Sequence, residues 1–452
     1  MLSEVYEKGA VQALGASRSS FQKAIQSVLT VGRELLAKQR SGGAPAHGTA
    51  TSLTERCMEL LEHRGEASGL ALAEEIAAEY QLLGEDEKRL FLLSLAAEFD
   101  VDTQQILDCA AQYREDPNHE NLERVAHAVE APRKKLFRRI NMAPDGTRTL
   151  VALRGDLLRL LPEEPELRSV EADLKHLFAY WFNKGFLELR QIDWNSPAAV
   201  LEKLIAYEAV HAISGWEDLR GRLRRDRRCF AFFHPAMGDD PIVFVEVALT
   251  THTPEAIGPL ISLEREPLDP GEATTVVFYS ISNCHPGLNG ISFGNFLIKN
   301  VVKLLSDEFS SLRTFLTLSP IPGFRRWLTN TDLTKLIGDE AMAEKVRAPL
   351  GQVVETDVRD ALLRLCAHYL LNVKSRGLAR DPVARFHLSN GASLHKLHWG
   401  ADLTLGGRSQ SAGMMVNYLY EVQKIEVNHE AYFNQQKISA SKEIARLVEQ
   451  RK

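Results

Sequence analysis

The chain has 452 residues, 44% of them hydrophobic and 25% charged, with a formal net charge of −6. That length allows two or three domains of ordinary globular composition. The acidic balance gives nucleic acid no global basic field, and no apolar run is long enough to cross a bilayer. Residues 1 to about 40 read as helix, and Ser41 to Ser52 (SGGAPAHGTATS) as a flexible connector. From Leu53 to about Tyr180, apolar residues recur at helical spacing, as at Leu90, Leu93 and Ala97. Pro117, Pro132, Pro144 and Pro162 divide this stretch into several helices. Lys134, Lys135, Arg138 and Arg139 form a local basic face that reads as solvated surface.

The texture changes near Asn183. Gly185 to Trp194 alternates like a strand, and Ala198 to Val210 returns to helix. Arg220 to Arg228 is strongly basic, which suits either an exposed helix end or the phosphates of a nucleotide ligand. Cys229 to Phe233 and Ile242 to Leu249 read as an antiparallel hairpin. Thr274 to Ser282 is dense in β-branched and aromatic residues and reads as a buried strand. Gly287, Gly290 and Gly294 follow, then a helical face of Leu297, Val301 and Leu304. Strand, glycine loop and helix can hold a phosphate on backbone N–H groups, or can be a tight connection with no ligand. Thr314 to Leu318 is another strand, and helices fill most of Arg325 to Val373. His387 falls in a short polar loop beside an Asn-Gly turn signal, and a closing helix starts at about Lys437. The fold class is α+β, with an all-helical half in front of the mixed one.

Five scattered cysteines (Cys57, Cys109, Cys229, Cys284, Cys366) form no C-x-x-C pair, which suggests reduced thiols in the cytoplasm. The start, MLSEVYEKGA, lacks the charged-then-apolar order of a signal sequence. Ser319 ends a strand beside Pro320 and Pro322, which restrict the backbone and would fix its hydroxyl. A serine and a histidine in separate loops can converge, but the residues alone leave this pair open against a turn-capping serine and a structural histidine. Ser319 does not sit in a G-x-S-x-G elbow. His395 and His398 have no obvious third ligand, so no metal is expected.

The segments FYSIS, GLNG, FGNFLIKNVVK, LSPIPGF, DPVARFHLSNGA and MMVNYLY occur in this order. Together they closely resemble the malonyl-CoA decarboxylase family, over the whole chain. A helical front half can mediate self-association, which would make the protein a homo-oligomer, and the resemblance implies a helical domain at 1–180. It further implies a catalytic domain at 181–452 with a GNAT-type acetyltransferase-like fold. The implied reaction converts malonyl-CoA to acetyl-CoA and carbon dioxide without metal, biotin, thiamine or other cofactor. The family's catalytic serine falls on Ser319 and its histidine on His387. Its acyl-CoA loop falls on Asn289, Gly290, Ile291, Ser292, Phe293, Gly294 and Asn295. Ser280 and Tyr420 match further substrate-pocket positions. Some members carry a glutamate where this chain has Ser292, so no role for that carboxylate carries over. The final residues Glu449 to Lys452 lack a peroxisomal Ser-Lys-Leu signal, which agrees with a cytoplasmic protein. Loss of carbon dioxide leaves an enolate that needs hydrogen-bond donors and then a proton at carbon. His387 would supply that proton and Ser319 would position the malonyl group or relay the proton. Two alternatives use the same CoA cradle: an acyltransferase acting on an amine, and a non-catalytic acyl-CoA-binding interaction protein.

Overall fold

The computed structural model describes residues 23–38, 48–291, 294–348 and 354–449. The expectations for residues 1–22, most of the connector after Ser41, Ser292, Phe293 and the final residues lie outside these. Two compact units form. One runs to Asn183 and adds Pro235–Gly238 and His285–Ile291; the other holds Lys184–His234, Asp239–Cys284 and the remainder.

The first unit is helical: α1 (23–38), α2 (Ala50–Glu62), α3 (Glu66–Leu82), α4 (Glu85–Ala97) and α5 (Thr103–Glu115). Then come α6 (His119–Ala128), α7 (Pro132–Asn141), α8 (Gly146–Leu160) and α9 (Arg168–Trp181). Local chemistry sets these boundaries. Asp102 accepts from the amides of Gln104 and Gln105 at the start of α5, Asn118 caps α6, and Pro132 opens α7, where a missing N–H costs nothing. Helical period holds in α4, but its buried side carries Phe91, Leu92 and Leu95, with Leu90 exposed. The basic face of α7 is not merely solvated. Lys134 pairs with Asp173 at 3.1 Å, Arg138 with Glu130 at 2.8 Å, and Arg139 donates to the carbonyls of Leu60 and His63.

The second unit is a mixed sheet with helices. Its strands are β1 (Glu188–Ile192), β2 (Arg227–Phe233), β3 (Pro241–Thr250), β4 (Thr275–Asn283) and β5 (Thr314–Thr317). They continue with β6 (Ser319–Pro320), β7 (Lys374–Ser375), β8 (Leu378–Ala379), β9 (Ser393–His398) and β10 (Met415–Leu419). The sheet order is β1-β2-β3-β4-β5-β10-β6, with β9 on β10, while β7 and β8 pair separately. All ladders are antiparallel except β4 with β5. A parallel pair requires a crossover, and α13 (Gly294–Glu308) supplies it. A helix thus crosses between two parallel strands of an otherwise antiparallel sheet. The expected hairpin is present as β2 and β3.

Helices α10 (Ala198–Tyr207), α11 (Trp216–Arg222) and α12 (Ile257–Ile261) come before that crossover. Leu204 and Leu219 of the first two pack with Phe244 of β3, all essentially inaccessible. Burying one such side chain contributes roughly 1.5–3 kcal/mol. Helix α13 buries Leu297, Ile298, Val301, Val302 and Leu305, while Leu304, expected on the inner face, is half exposed. After β6 come α14 (Phe324–Asn330), α15 (Leu333–Ile337), α16 (Glu340–Arg347) and α17 (Thr356–Asn372).

The C-terminal part differs most from expectation. His387 lies not in a loop but on α18 (Pro382–Ser389). Asp381 caps this helix, Pro382 stands at its first position, and the Asn-Gly pair ends it rather than flanking a loop. Gly391 has φ +80°, and a Cβ there would meet the Ile425 carbonyl oxygen at 2.1 Å. Helix α19 (Leu405–Ser411) lies between β9 and β10, and α20 (Ile425–Gln435) was not anticipated. The closing helix, α21, spans Lys442–Glu449, because residues just before it run along β9: Leu394 bonds to Ser439 and Ser441 through its N–H and C=O.

Candidate active site

Alternation along two strands puts four polar side chains on one face of the sheet. Thr317 and Ser319 are two apart at the β5–β6 junction; Tyr418 and Tyr420 are two apart on and just after β10. Ser319 pairs with Val416 in the ladder. Helix α18 brings His387 onto the same face, where its ring stacks on Tyr418 with centroids 4.5 Å apart. His387 Nε2 then lies 3.1 Å from Ser319 Oγ, and Nδ1 lies 2.8 Å from the Tyr420 hydroxyl. Ser319 Oγ also donates to Thr317 Oγ1 at 2.9 Å, and Thr317 Oγ1 accepts from the Tyr418 amide at 3.1 Å. The ring of Phe278 meets Tyr420 edge-on at 6.2 Å. All of these side chains are buried.

Burial decides their charge state. Desolvation pushes His387 down to about 3, so the ring is neutral at ordinary pH. The same effect raises the Tyr420 phenol well above 10, so it keeps its proton. The site offers a chain of neutral donors and acceptors in a dry layer. Such an arrangement is uncharged at rest and can hand on a proton, provided that the proton given up is replaced after turnover.

Ser280 does not join this group. It pairs with Glu246 across β3 and β4, at the irregularity where Tyr279 has no partner. Its hydroxyl lies 2.7 Å from each oxygen of Glu208, the residue capping the C-terminal end of α10. Glu208 also accepts from Ser282 Oγ and from the amides of Val210 and His211. That saturated carboxylate ties the chain after α10 to the far half of β4. Beyond Phe278, whose carbonyl accepts from Leu318 N–H, β4 has no ladder partner on its β5 side among the described residues. The two strands therefore part next to Ser319, leaving an unpaired β4 edge beside the serine.

The basic run from Arg220 to Arg228 is largely committed to internal contacts. Arg222 pairs with Asp218 at 3.2 Å and Glu246 at 3.1 Å, and Arg228 pairs with Glu308. Arg224 and Arg225 donate to the carbonyls of Arg265 and Pro267. Cys284 is a buried thiol whose pKa is raised by burial, as befits a packing residue. Among the described residues no group of three or more His, Cys, Asp or Glu side chains is placed to hold a metal ion.

The glycine loop splits at Ile291. Asn289, Gly290 and Ile291 belong to the helical unit, and Gly294 and Asn295 open α13 of the sheet unit. Ser292 and Phe293 lie outside the described residues. Gly287 has a use unrelated to anions: a Cβ there would stand 1.8 Å from the Val151 carbonyl oxygen of α8. It is glycine because backbone packs on backbone. Gly290 is different, exposed with φ +77°.

Thr317, Tyr418 and Asp381 were not singled out from the sequence. A signal for the first two existed, since each lies two residues before a chosen residue on an alternating strand. Asp381 was legible as the Asp-Pro opening of a helix. It accepts from the amides of Val383 and Ala384 at 3.0 Å each, and from Gly323 at 3.0 Å. It thereby joins the helix carrying His387 to the turn that follows Ser319.

Comparison with known proteins agrees with this architecture. Residues 185–452 match the malonyl-CoA decarboxylase C-terminal domain, and residues 99–182 match the N-terminal domain of the same family. The mitochondrial malonyl-CoA decarboxylase of Anser anser anser is 34% identical over 414 residues, covering 82% of each chain. That of Rattus norvegicus is 36% identical over 414 residues, covering 82% of this chain and 84% of the relative. The crystal structure of the Rhodopseudomonas palustris enzyme superposes with a TM-score of 0.83 at 44% identity, covering 88% of this chain and 99% of that one. The Agrobacterium vitis structure gives 0.81 at 42%, with the same coverage. The chain belongs to the malonyl-CoA decarboxylase family.

Proposed function

We propose that this chain decarboxylates malonyl-CoA to acetyl-CoA and carbon dioxide, with Ser319, His387 and Tyr420 forming a neutral proton relay. The observation that carries the relay is the 3.1 Å approach of Ser319 Oγ to His387 Nε2, between residues 68 apart in sequence. Carbon dioxide leaves, and its bonding electrons pass into the thioester carbonyl as an enolate. Ser319 then gives its hydroxyl proton to the former carbanion carbon and takes one from His387 Nε2. This requires the tautomer with the proton on Nε2. Tyr420 favours it, since a buried phenol that keeps its proton can donate to Nδ1. As Nε2 gives up its proton, the Tyr420 proton passes to Nδ1, and a proton from solvent restores the phenol once the products have left. These side chains are buried, and a carboxylate that leaves its hydration behind on entering such a layer is lost more readily.

Asn289 to Asn295 hold the coenzyme in this reading, supported by the family's loop falling there and by the exposed Gly290 amide. The test is incubation with malonyl-CoA and no acceptor. Acetyl-CoA and carbon dioxide should appear, and Ser319→Ala or His387→Ala should lower kcat by about 10²–10⁴. Their affinity for acetyl-CoA should change little. Turnover only after an amine is added would favour the acyltransferase instead, and binding without turnover the interaction protein. Self-association through the helical unit is part of the proposal, supported by the exposed Leu107, Leu122 and Val129 on α5, α6 and the turn after them. Sedimentation of the full chain as a monomer would remove it. No described helix is long and apolar enough to cross a membrane. A cytoplasmic location is supported by five free cysteines, whereas the vertebrate relatives are named mitochondrial; fractionation separates the two.

A further inference from the structure

We infer that Arg154 positions the coenzyme loop, and that Lys175 beside it contacts a phosphate group of the CoA moiety. The inference rests on the assignment of that loop in the proposed function, and Arg154, Lys175 and Gly287 to Ile291 all belong to one compact unit. Arg154 on α8 is 1% exposed, and its two terminal nitrogens, though not its Nε, have acceptors. One end of its fork donates to the carbonyls of Gly287 and, at 3.0 Å, Asn289. The other end donates to Glu171 of α9 at 2.7 Å. One planar group thus fastens two helices and the loop, a geometry that a lysine ammonium cannot reproduce.

The consequence falls on the next peptide. No peptide bond among the described residues is cis, and in a trans peptide the C=O and the following N–H point in opposite directions. With the Asn289 carbonyl turned in towards Arg154, the Gly290 N–H is turned outwards. That N–H has no acceptor among the described residues. Lys175 of α9 is exposed and has no ion-pair partner among the described residues. Its Nζ lies 3.8 Å from where a Cβ on Gly290 would sit. An outward amide and an uncommitted ammonium side by side form a donor pair of the kind that holds a phosphate oxygen. Gly287 and Gly155 bring the loop close enough, since their backbones approach with no side chain between them.

The test measures binding of acetyl-CoA and of acetyl-pantetheine, which lacks every phosphate, to the full-length protein by calorimetry. Lys175→Ala should weaken acetyl-CoA binding about tenfold, the loss of one hydrogen bond to a charged group. It should weaken acetyl-pantetheine less than twofold, and Lys175→Arg should recover most of the loss. Arg154→Lys should show the same selectivity. Should that variant fail to fold by circular dichroism, the exposed Lys175 pair decides alone. Equal weakening of both ligands, or no effect of Lys175→Ala on acetyl-CoA, overturns the inference. So does a wild type that binds no acetyl-CoA. A wild type that binds with the stated selectivity but releases no carbon dioxide from malonyl-CoA supports the loop assignment and sinks only the reaction.

Discussion

Desolvation governs His387, and its effect can be read in a pH profile. With the ring held down to about 3 by burial, it stays neutral far below the ordinary value of 6.5. The acid limb of log kcat should therefore lie below pH 5, with folding followed in parallel by circular dichroism. A limb near 6.5 would mean that the working ring is solvated and protonatable, contrary to the relay. Tyr420→Phe removes the hydroxyl 2.8 Å from Nδ1 and leaves a buried acceptor unpaired. That costs roughly 1–3 kcal/mol, so kcat should fall about ten- to a hundredfold. An unaltered kcat would exclude Tyr420 from proton transfer. At this scale the residues were nameable from the family resemblance, but their partners were not. Thr317 and Tyr418 complete the surroundings of Ser319 and His387 by strand alternation, a pattern present in the sequence but meaningful only once the strands pair.

Two elements carry the site, and each depends on one contact. Helix α18 starts at Asp381, which satisfies three backbone amides, one of them from the turn after Ser319. Asp381→Ala should cost about 1–2 kcal/mol as a lost cap, and should lower kcat as His387 drifts from Ser319. Urea unfolding and single-turnover rates check the two parts separately, and an intact rate would show that α18 is held by packing alone. The loop before α13 depends on Gly287. Gly287→Ala places a methyl 1.8 Å from the Val151 carbonyl oxygen, so the loop must lift from α8. The expected result is a destabilisation of about 1–3 kcal/mol with KM for malonyl-CoA raised more than kcat is lowered. A variant with wild-type KM would detach the loop from coenzyme binding. Element types were legible from periodicity; buried faces were less so. In α4 and α13 the apolar residues extend around more than one side, and packing selected Phe91 over Leu90 and Leu305 over Leu304.

Across the whole molecule, buried titratable groups tie stability to pH. Burial, helped by Arg222, pushes His211 down to about 4, and burial alone pushes His387 to about 3. Below 6.5 the unfolded chain takes up protons that the folded chain refuses, so both histidines make stability fall as pH falls. Glu246, pushed up to about 8 by burial despite Arg222, acts with the opposite sign between 4.5 and 8. His398, also lowered by burial, adds to the loss, and Asp381, raised by burial, opposes it; with three histidines against two carboxyls, unfolding free energy should be lower at pH 5 than at pH 6.5. Chemical denaturation at the two values measures it. Constant or rising stability on acidification would show that these histidines are solvated.

The helical first half, the mixed second half, the β2–β3 hairpin and the order of the family's motifs followed from the sequence by itself. Periodicity, turn residues and residue order are local properties that survive in an unfolded chain. Tertiary structure alone decided that Ser319 meets His387, that Ser280 serves Glu208, and that Gly287 packs on a helix. It also turned the arginine run inwards. Each of these joins residues distant in sequence, and such pairings exist only after the packing of strands and helices has selected one register and one face.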